Sequence, residues 1–459
     1  MNNTAFIDDQ NNSITYEELE EMKSQLAAKL KGRRNLVFSF CKNSIGSVVG
    51  YLAFLASKNV PLLLKADIDQ ELRENLIQIY RPQYLYVPVE MKEAYAAYKE
   101  VWNRYDYVLL QTANEKEPMA EELALLLTTS GSTGSPKLVR QSYRNIKSNA
   151  EAIAQYLKLD ETERPITTLP MNYTYGLSII NSHLLCHATI LLTDYTLMQR
   201  EFWDFLKEQK ATSFGGVPYT YEMLKRLRFF QMDLPSLRYM TQAGGKLRAE
   251  LHKEFAEYAI EQGKEFIVMY GQTEATARMA YLPGEKALEK YGSMGIAIPG
   301  GKLWLKDVDG QEITKPDVVG ELVYEGENVT LGYAQQREDL ARGDERGGVL
   351  ETGDMARMDE EGYFYIVGRK KRFLKIFGNR VNLDETERLL NGEFENLEIA
   401  CAGSDDKMAI YYVGEADEAS IRHYISQKSG LHPSAFKAVQ VEEIPKNDAG
   451  KILYNKLEQ

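Results

Sequence analysis

The chain has 459 residues and carries 55 Lys and Arg against 67 Asp and Glu, a formal net charge of -12. That length admits two or three domains with ample core, and the acidic balance argues against a nucleic-acid partner. Cys41, Cys186 and Cys401 are scattered and odd in number, which excludes a disulfide framework or a cysteine-built zinc site and fits a reducing cytoplasm. The first residues, Met1 to Asp9, are polar and acidic and show no signal-peptide pattern. The longest apolar stretches, around 45–56 and 176–192, are too short or too interrupted by Asn181, His183 and His187 to span a bilayer. A soluble cytoplasmic protein without a transmembrane segment is expected.

In chain order, Thr15-Tyr-Glu-Glu18 is a capping box, followed by Leu19, Met22, Leu26 and Leu30 at helical spacing. Leu36–Phe40, Val60–Leu64 and Tyr84–Val87 read as strands, with helices at Ser44–Ser57 and Asp69–Tyr80 between them. This alternation predicts α/β architecture with parallel sheets and helices packed on them. A charged lead-in, Glu115–Glu122, runs into the apolar Leu125-Leu-Leu, and the run ends abruptly in Thr128-Thr-Ser-Gly-Ser-Thr-Gly-Ser-Pro-Lys137. Thr129, Ser130, Ser132 and Thr133 supply hydroxyls, Gly131 and Gly134 supply backbone freedom, and Lys137 supplies charge. Successive inward N–H groups in such a loop make an anion nest. The spacing differs from the Walker loop, whose lysine directly follows its second glycine. The same composition also suits a hydrophilic turn after a buried strand.

Ser142 to about Leu157 reads as a helix, and Ile166–Leu169, Leu237–Thr241 and Phe266–Met269 as strands. Phe214-Gly-Gly-Val-Pro218 reads as a strand-to-helix turn. Strand ends carry Ala243-Gly-Gly-Lys246 and Tyr270-Gly-Gln-Thr-Glu274, and ligand sites gather at the carboxyl ends of strands in α/β sheets. From Gly292 to about Tyr365 closely spaced turn signals predict a β-rich subdomain. Beyond a boundary near Gly368, alternating segments predict a small α+β domain. The expected domains are therefore 1–367 and 368–459.

Five motifs occur in one order: Thr128–Lys137, Tyr270-Gly-Gln-Thr-Glu274, Glu351-Thr-Gly-Asp354, Gly368-Arg-Lys-Lys-Arg372 and Pro445-Lys-Asn-Asp-Ala-Gly-Lys451. Gly320-Glu-Leu-Val and Gly332-Tyr333 fill the pattern between them. The set resembles the acyl-adenylate-forming superfamily of acyl-CoA synthetases, peptide-synthetase adenylation domains and luciferases. The resemblance covers nearly the whole chain.

It implies a large α/β AMP-binding domain with a β-rich subdomain, and a small mobile α+β domain that swings about a hinge at Lys371. The implied reaction joins ATP, with Mg²⁺, to a carboxylic acid, releases pyrophosphate, and passes the acyl group to a phosphopantetheine thiol. That thiol belongs to CoA or to a separate carrier protein, since no carrier domain is recognisable in the chain. By the same resemblance, Thr129–Gly134 and Lys137 hold the β- and γ-phosphates, Glu274 binds Mg²⁺, and Thr273 and Lys451 stabilise the α-phosphate. Asp354 and Arg369 fix the ribose, and Gly244, Gly245, Tyr270 and Gly271 border the nucleotide and acyl group. The alternative from another class is a non-catalytic nucleotide-binding relative. A nucleic-acid-binding reading rests only on the six basic residues of Arg369–Arg380.

Two departures stand out. Tyr173 occupies the place where many relatives have histidine, and Leu138 replaces a common glycine. No acid stands near Asn172, where amino-acid-activating relatives place an aspartate. That weighs toward a plain carboxylic acid rather than an α-amino acid.

Overall fold

In a computed structural model, the chain is described over residues 3–128, 137–370, 372–376, 379–404, 407–429, 431–447 and 450–457. The α/β class expected from the alternation is the class observed. Two compact units are present: 1–302 with 324–350, and 303–323 with 351–459.

Among the described residues the first unit contains a nine-stranded and an eight-stranded sheet. The middle of the larger sheet is parallel and runs Thr4–Asp8, Ile190–Leu192, Pro165–Ile166, Ser213–Gly216, Tyr239–Gln242, Glu265–Tyr270. Its two edges are antiparallel, so the architecture is mixed rather than wholly parallel. The eight-stranded sheet has a parallel centre of Tyr84–Pro88, Leu36–Cys41, Val60–Lys65 and Leu123–Thr128. These strands are largely apolar and buried because both faces are covered. The helix Ile45–Ala56 shares one core with both sheets: Val48, Val49, Tyr51 and Phe54 pack with Phe6, Ile190 and Leu192 and also with Val37, Tyr86 and Leu125.

Local signals explain the element ends. Thr15 and Glu18 exchange both capping bonds at the start of Tyr16–Ala27, and Ser142 and Asn145 do the same for Tyr143–Tyr156. The strand expected over Ile166–Leu169 ends at Ile166. The Thr167 hydroxyl donates to the Thr193 carbonyl at 3.1 Å and accepts from the Thr193 N–H at 2.9 Å, so side-chain bonds replace the ladder there. The helix Pro218–Arg226 follows the expected strand-to-helix turn, whereas the hairpin Lys99–Arg104 and Tyr107–Gln111 and the helices Arg200–Glu208 and Ala249–Glu261 were not indicated by the sequence pattern.

The second unit holds the greater part of a five-stranded sheet that includes Val349–Met358 paired antiparallel with Phe364–Arg369. It also holds a three-stranded sheet of Glu398–Ser404, Lys407–Val413 and Phe436–Gln440, covered by the helices Leu383–Glu393 and Glu418–Ser429. Leu390, Ile399, Ile410, Ile421, Ile425 and Phe436 form its core. Among the described residues no helix is long and apolar enough to cross a membrane.

Candidate active site

The strands Leu123–Thr128 and Leu138–Ser142 form an antiparallel pair in which Thr128 faces Leu138. The expected phosphate loop joins them. Its residues Thr129, Ser130, Gly131, Ser132, Thr133 and Gly134 lie outside the described residues. Lys137, at the end of the loop, is described. The strand Gly332–Ala334 pairs with Leu138–Ser142 and sets Tyr333 opposite Val139. This register brings the Lys137 ammonium to 3.5 Å from the centre of the Tyr333 ring, within cation–π range.

Tyr333 is a junction. Its hydroxyl donates to Oε1 of Glu274 at 2.7 Å, and the Arg346 guanidinium lies 4.7 Å from its ring centre. Burial, and then the Glu274 charge, push the phenol up to about 12. It is therefore a hydrogen-bond donor at any physiological pH. The Glu274 carbonyl accepts from the Thr330 N–H at 3.0 Å, the Thr330 hydroxyl at 2.9 Å and the Arg346 guanidinium at 2.9 Å. Glu274 is thus fixed at both ends, and a fixed carboxylate loses little freedom when a ligand arrives.

The motif Tyr270-Gly-Gln-Thr-Glu274 leaves the strand Glu265–Tyr270 in a tight turn. A Cβ on Gly271 would sit 1.6 Å from the Ala277 carbonyl oxygen, so only glycine fits. Thr276 adopts a left-handed conformation (φ 65°) and donates its hydroxyl to the Asn328 carbonyl at 2.6 Å. The Asn328 amide donates to the carbonyls of Ala275 at 2.8 Å and Arg278 at 3.1 Å.

The segment that holds the motif is anchored by Arg140, whose side chain is fully buried. It pairs with Glu345 and donates to the carbonyls of Tyr333 at 3.1 Å, Leu331 at 3.2 Å and Gly343 at 3.2 Å.

Among the described residues no three His, Cys, Asp or Glu side chains converge on a metal position. Glu274 is half-buried, and its Oε2 takes no hydrogen bond among the described residues. One oriented carboxylate with a free oxygen fits Mg²⁺, which keeps its waters and takes the remaining oxygens from phosphate rather than from a protein cage.

In the second unit, Asp354 and Arg369 face each other across the pair Val349–Met358 and Phe364–Arg369. Arg369 Nε lies 2.7 Å from Asp354 Oδ1, and Asp354 is 3% exposed. The two residues assigned to ribose are therefore neighbours. Lys370 pairs with Glu321 at 2.8 Å. Arg372 pairs with Asp384 and with Glu387 at 2.6 Å, and its guanidinium lies 3.6 Å from the Tyr454 ring centre. The described cations of the basic run are thus engaged by carboxylates, unlike a row of charges open to phosphates. Lys371, the expected hinge, lies outside the described residues. Lys451 has an exposed side chain next to a turn in which its N–H donates to Asn447 Oδ1 at 2.9 Å and its carbonyl accepts from the Asn447 N–H at 2.9 Å.

The stretches expected around the acyl group also meet, all within the first unit. Gly244 has φ +83°, and a Cβ there would stand 2.7 Å from the Tyr173 hydroxyl. One on Gly245 would stand 3.1 Å from Pro218, and one on Gly215 would stand 2.9 Å from the Tyr175 hydroxyl. Tyr175 is hydrogen-bonded to the Thr241 hydroxyl at 2.7 Å. Tyr270 ends the neighbouring strand and accepts from the Gln272 amide at 3.2 Å.

The sequence model of the family described as AMP-binding enzyme matches residues 1–334. The chain belongs to that family. Among its relatives, a 2-succinylbenzoate–CoA ligase of Bacillus cereus is 30% identical over 358 residues, 75% of this chain and 71% of the relative. A protein of Oryza sativa subsp. japonica named 4-coumarate–CoA ligase-like 4 is 28% identical over 348 residues, 72% of this chain and 62% of the relative. The fold is shared with solved structures. O-succinylbenzoate coenzyme A synthetase from Bacillus subtilis, in complex with ATP and magnesium ion, has a TM-score of 0.80 at 22% identity and covers 100% of this chain and 97% of its own. ATP-bound MatB from Rhodopseudomonas palustris has a TM-score of 0.78 at 22% identity, covering 99% and 95%.

In this AMP-binding enzyme, sequence reasoning missed several residues that build the site. Arg140, Asn328, Thr330 and Arg346 carry no motif, and Tyr333 entered only as part of a pattern. Arg140 did leave a signal, a cation directly after the apolar Leu138-Val139 of a strand. Such a residue is buried only when paired.

Proposed function

We propose that the protein is an ATP-dependent, AMP-forming acid–CoA ligase. The observation that carries this reading is the meeting of the Glu274 carboxylate and the Lys137 ammonium at Tyr333, in a chain of the AMP-binding enzyme family. In the first half-reaction the acid's carboxylate attacks the α-phosphorus of ATP, the bond to the bridging oxygen breaks, and pyrophosphate leaves. No base is needed, because a carboxylic acid is already ionised at neutral pH. The barrier is the approach of an anion to a polyanion, so catalysis rests on positioning and charge neutralisation.

Lys137 and the loop 129–134 take the β- and γ-phosphates in this reading. Glu274, oriented by Tyr333, holds Mg²⁺, which neutralises phosphate charge when bound. Thr273 and Lys451 act at the α-phosphate. Asp354 accepts from the ribose hydroxyls, a carboxylate's natural match to a diol, and Arg369 braces it. Gly244, Gly245, Tyr270 and Gly271 leave room for the nucleotide and acyl group. In the second half-reaction the CoA thiolate attacks the acyl carbonyl and AMP leaves. We assign the exchange of half-reactions to movement of residues 368–459 about Lys371, and the enzyme to the cytoplasm. A phosphopantetheine on a separate carrier protein offers the same thiol and is the alternative acceptor.

Mass spectrometry of products from enzyme, ATP, Mg²⁺ and an acid panel, with either CoA or a phosphopantetheinylated carrier, tests this. Acyl-CoA with equimolar AMP is expected. Formation of ADP, or thioester on the carrier alone, would refute the reading as stated.

A further inference from the structure

One charge beside the expected acyl pocket has no role in the chemistry above. Arg278 is 2% exposed. Its Nε donates to the Ser178 hydroxyl at 3.1 Å, and its Nη1 donates to the Tyr156 hydroxyl at 2.9 Å and touches Met269 Sδ at 3.3 Å. Its guanidinium lies 5.2 Å from the Tyr175 ring centre. Among the described residues no carboxylate pairs with it, and its Nη2 makes no hydrogen bond. The ionisable groups around it are neutral. Burial raises the phenols of Tyr156 and Tyr175, and burial, with a lesser contribution from Arg278 itself, pushes His183 down to about 3.

An arginine cannot shed its proton, and buried cations are ordinarily paired. Among the described residues the other buried arginines have carboxylates, Arg140 in Glu345 and Arg337 in Glu117. Arg278 differs, although its backbone is equally well held: its carbonyl accepts from the amides of Asn149 at 2.8 Å and Asn328 at 3.1 Å. The unsatisfied charge is therefore held in place rather than left to find a partner. Its position is informative too. Tyr175, over which it lies, touches Thr241 and Gly215, and Tyr173 stands against Gly244. Arg278 thus underlies the ring that links the 173–178 and 215–219 stretches expected around the acyl group. A cation there would also repel an α-ammonium group, in keeping with the missing aspartate near Asn172.

We propose that Arg278 reads a second anionic group on the substrate, so that the enzyme adenylates a carboxylic acid bearing another carboxylate. The unused Nη2 edge makes a charge-assisted hydrogen bond to that group, and Ser178 holds the fork in register. This rests on the ligase reading and names its substrate class.

The test is acid-dependent exchange of labelled pyrophosphate into ATP, with matched pairs: butanoate against butanedioate, pentanoate against pentanedioate, hexanoate against hexanedioate. The expected preference for the diacid is on the order of 10- to 100-fold in kcat/KM. Arg278→Met should erase that preference and leave the KM for ATP in place, and Arg278→Lys should recover part of it. If the methionine variant fails to fold, Ser178→Ala keeps the charge but frees its orientation, and should raise KM for the diacid alone. Monoacids used as well as diacids by the unaltered enzyme, or a diacid preference that survives Arg278→Met, would overturn the proposal. Absence of exchange with every acid would overturn the ligase reading itself, and the inference with it.

Discussion

The corner around Glu274 and the pocket around Arg278 arise from one short stretch of chain and handle charge in opposite ways. In the corner an anion is surrounded by donors and cations: Tyr333 on its carboxylate, Arg346 on its carbonyl, Lys137 across the ring. Each of these charges has a partner. In the pocket a single cation is surrounded by neutral hydroxyls and rings. A multiply charged ligand suits a balanced cluster that can trade partners. A ligand read through one group suits a lone charge in a low-dielectric wall, where a single hydrogen bond discriminates strongly.

If the corner does the phosphate chemistry, its variants should damage adenylation and leave acid preference alone. The largest effect is expected outside the corner, from Lys451→Ala, given the role proposed for it. Loss of one charge at the α-phosphate should slow adenylation by roughly 100- to 1000-fold, measured as pyrophosphate release, while thioester formation from synthetic acyl-adenylate proceeds. Arg140→Met comes next. It removes the buried donor shared by Glu345 and the carbonyls of Leu331, Tyr333 and Gly343 and should destabilise the first unit by about 2 kcal/mol, read from urea unfolding. An unchanged midpoint would show that the 331–345 segment is held some other way.

Tyr333→Phe removes one hydrogen bond to a charged oxygen, worth about 1.5 kcal/mol. The Mg²⁺ concentration for half-maximal activity should rise by about 10-fold, and direct Mn²⁺ binding in the presence of ATP, followed by electron paramagnetic resonance, should weaken in parallel. Equal loss at saturating metal would break the link to Glu274.

The smallest effect lies on the pocket side. His183 Nδ1 donates to the Ile179 carbonyl (2.8 Å), its Nε2 accepts from the Tyr239 hydroxyl (3.0 Å), and burial lowers it to about 3. A depressed pKa means that its contribution is complete above the unfolded value near 6.5 and is lost as pH falls toward about 3. Between pH 7 and 5.5 the unaltered protein should lose ~1 kcal/mol that His183→Gln retains.

The two regions were unequally legible in the sequence for a physical reason. Thr273, Glu274 and Gly271 sit in one turn whose shape is dictated by adjacent residues, and Asp354 and Arg369 are set opposite by a local hairpin. Contiguous letters carry such features. Tyr333 reaches Glu274 across 59 positions and Arg278 reaches Ser178 across 100. Those contacts exist only after sheet order and register are fixed, and neither was legible beforehand. The capping boxes at Thr15 and Ser142 belong to the first kind, the mixed edges of the sheets to the second. Arg278 lay in view between Ala277 and Met279 as a charge in an apolar run, but its lack of a carboxylate partner among the described residues is a property of the fold.

Acid-dependent exchange of labelled pyrophosphate into ATP, compared between the unaltered enzyme and Glu274→Gln at fixed Mg²⁺, tests the central claim most directly. Exchange that requires the acid, and that falls by two orders of magnitude or more in the variant, is the predicted result. Exchange that persists undiminished in Glu274→Gln would contradict it, since the carboxylate at Tyr333 would then have no part in the adenylation.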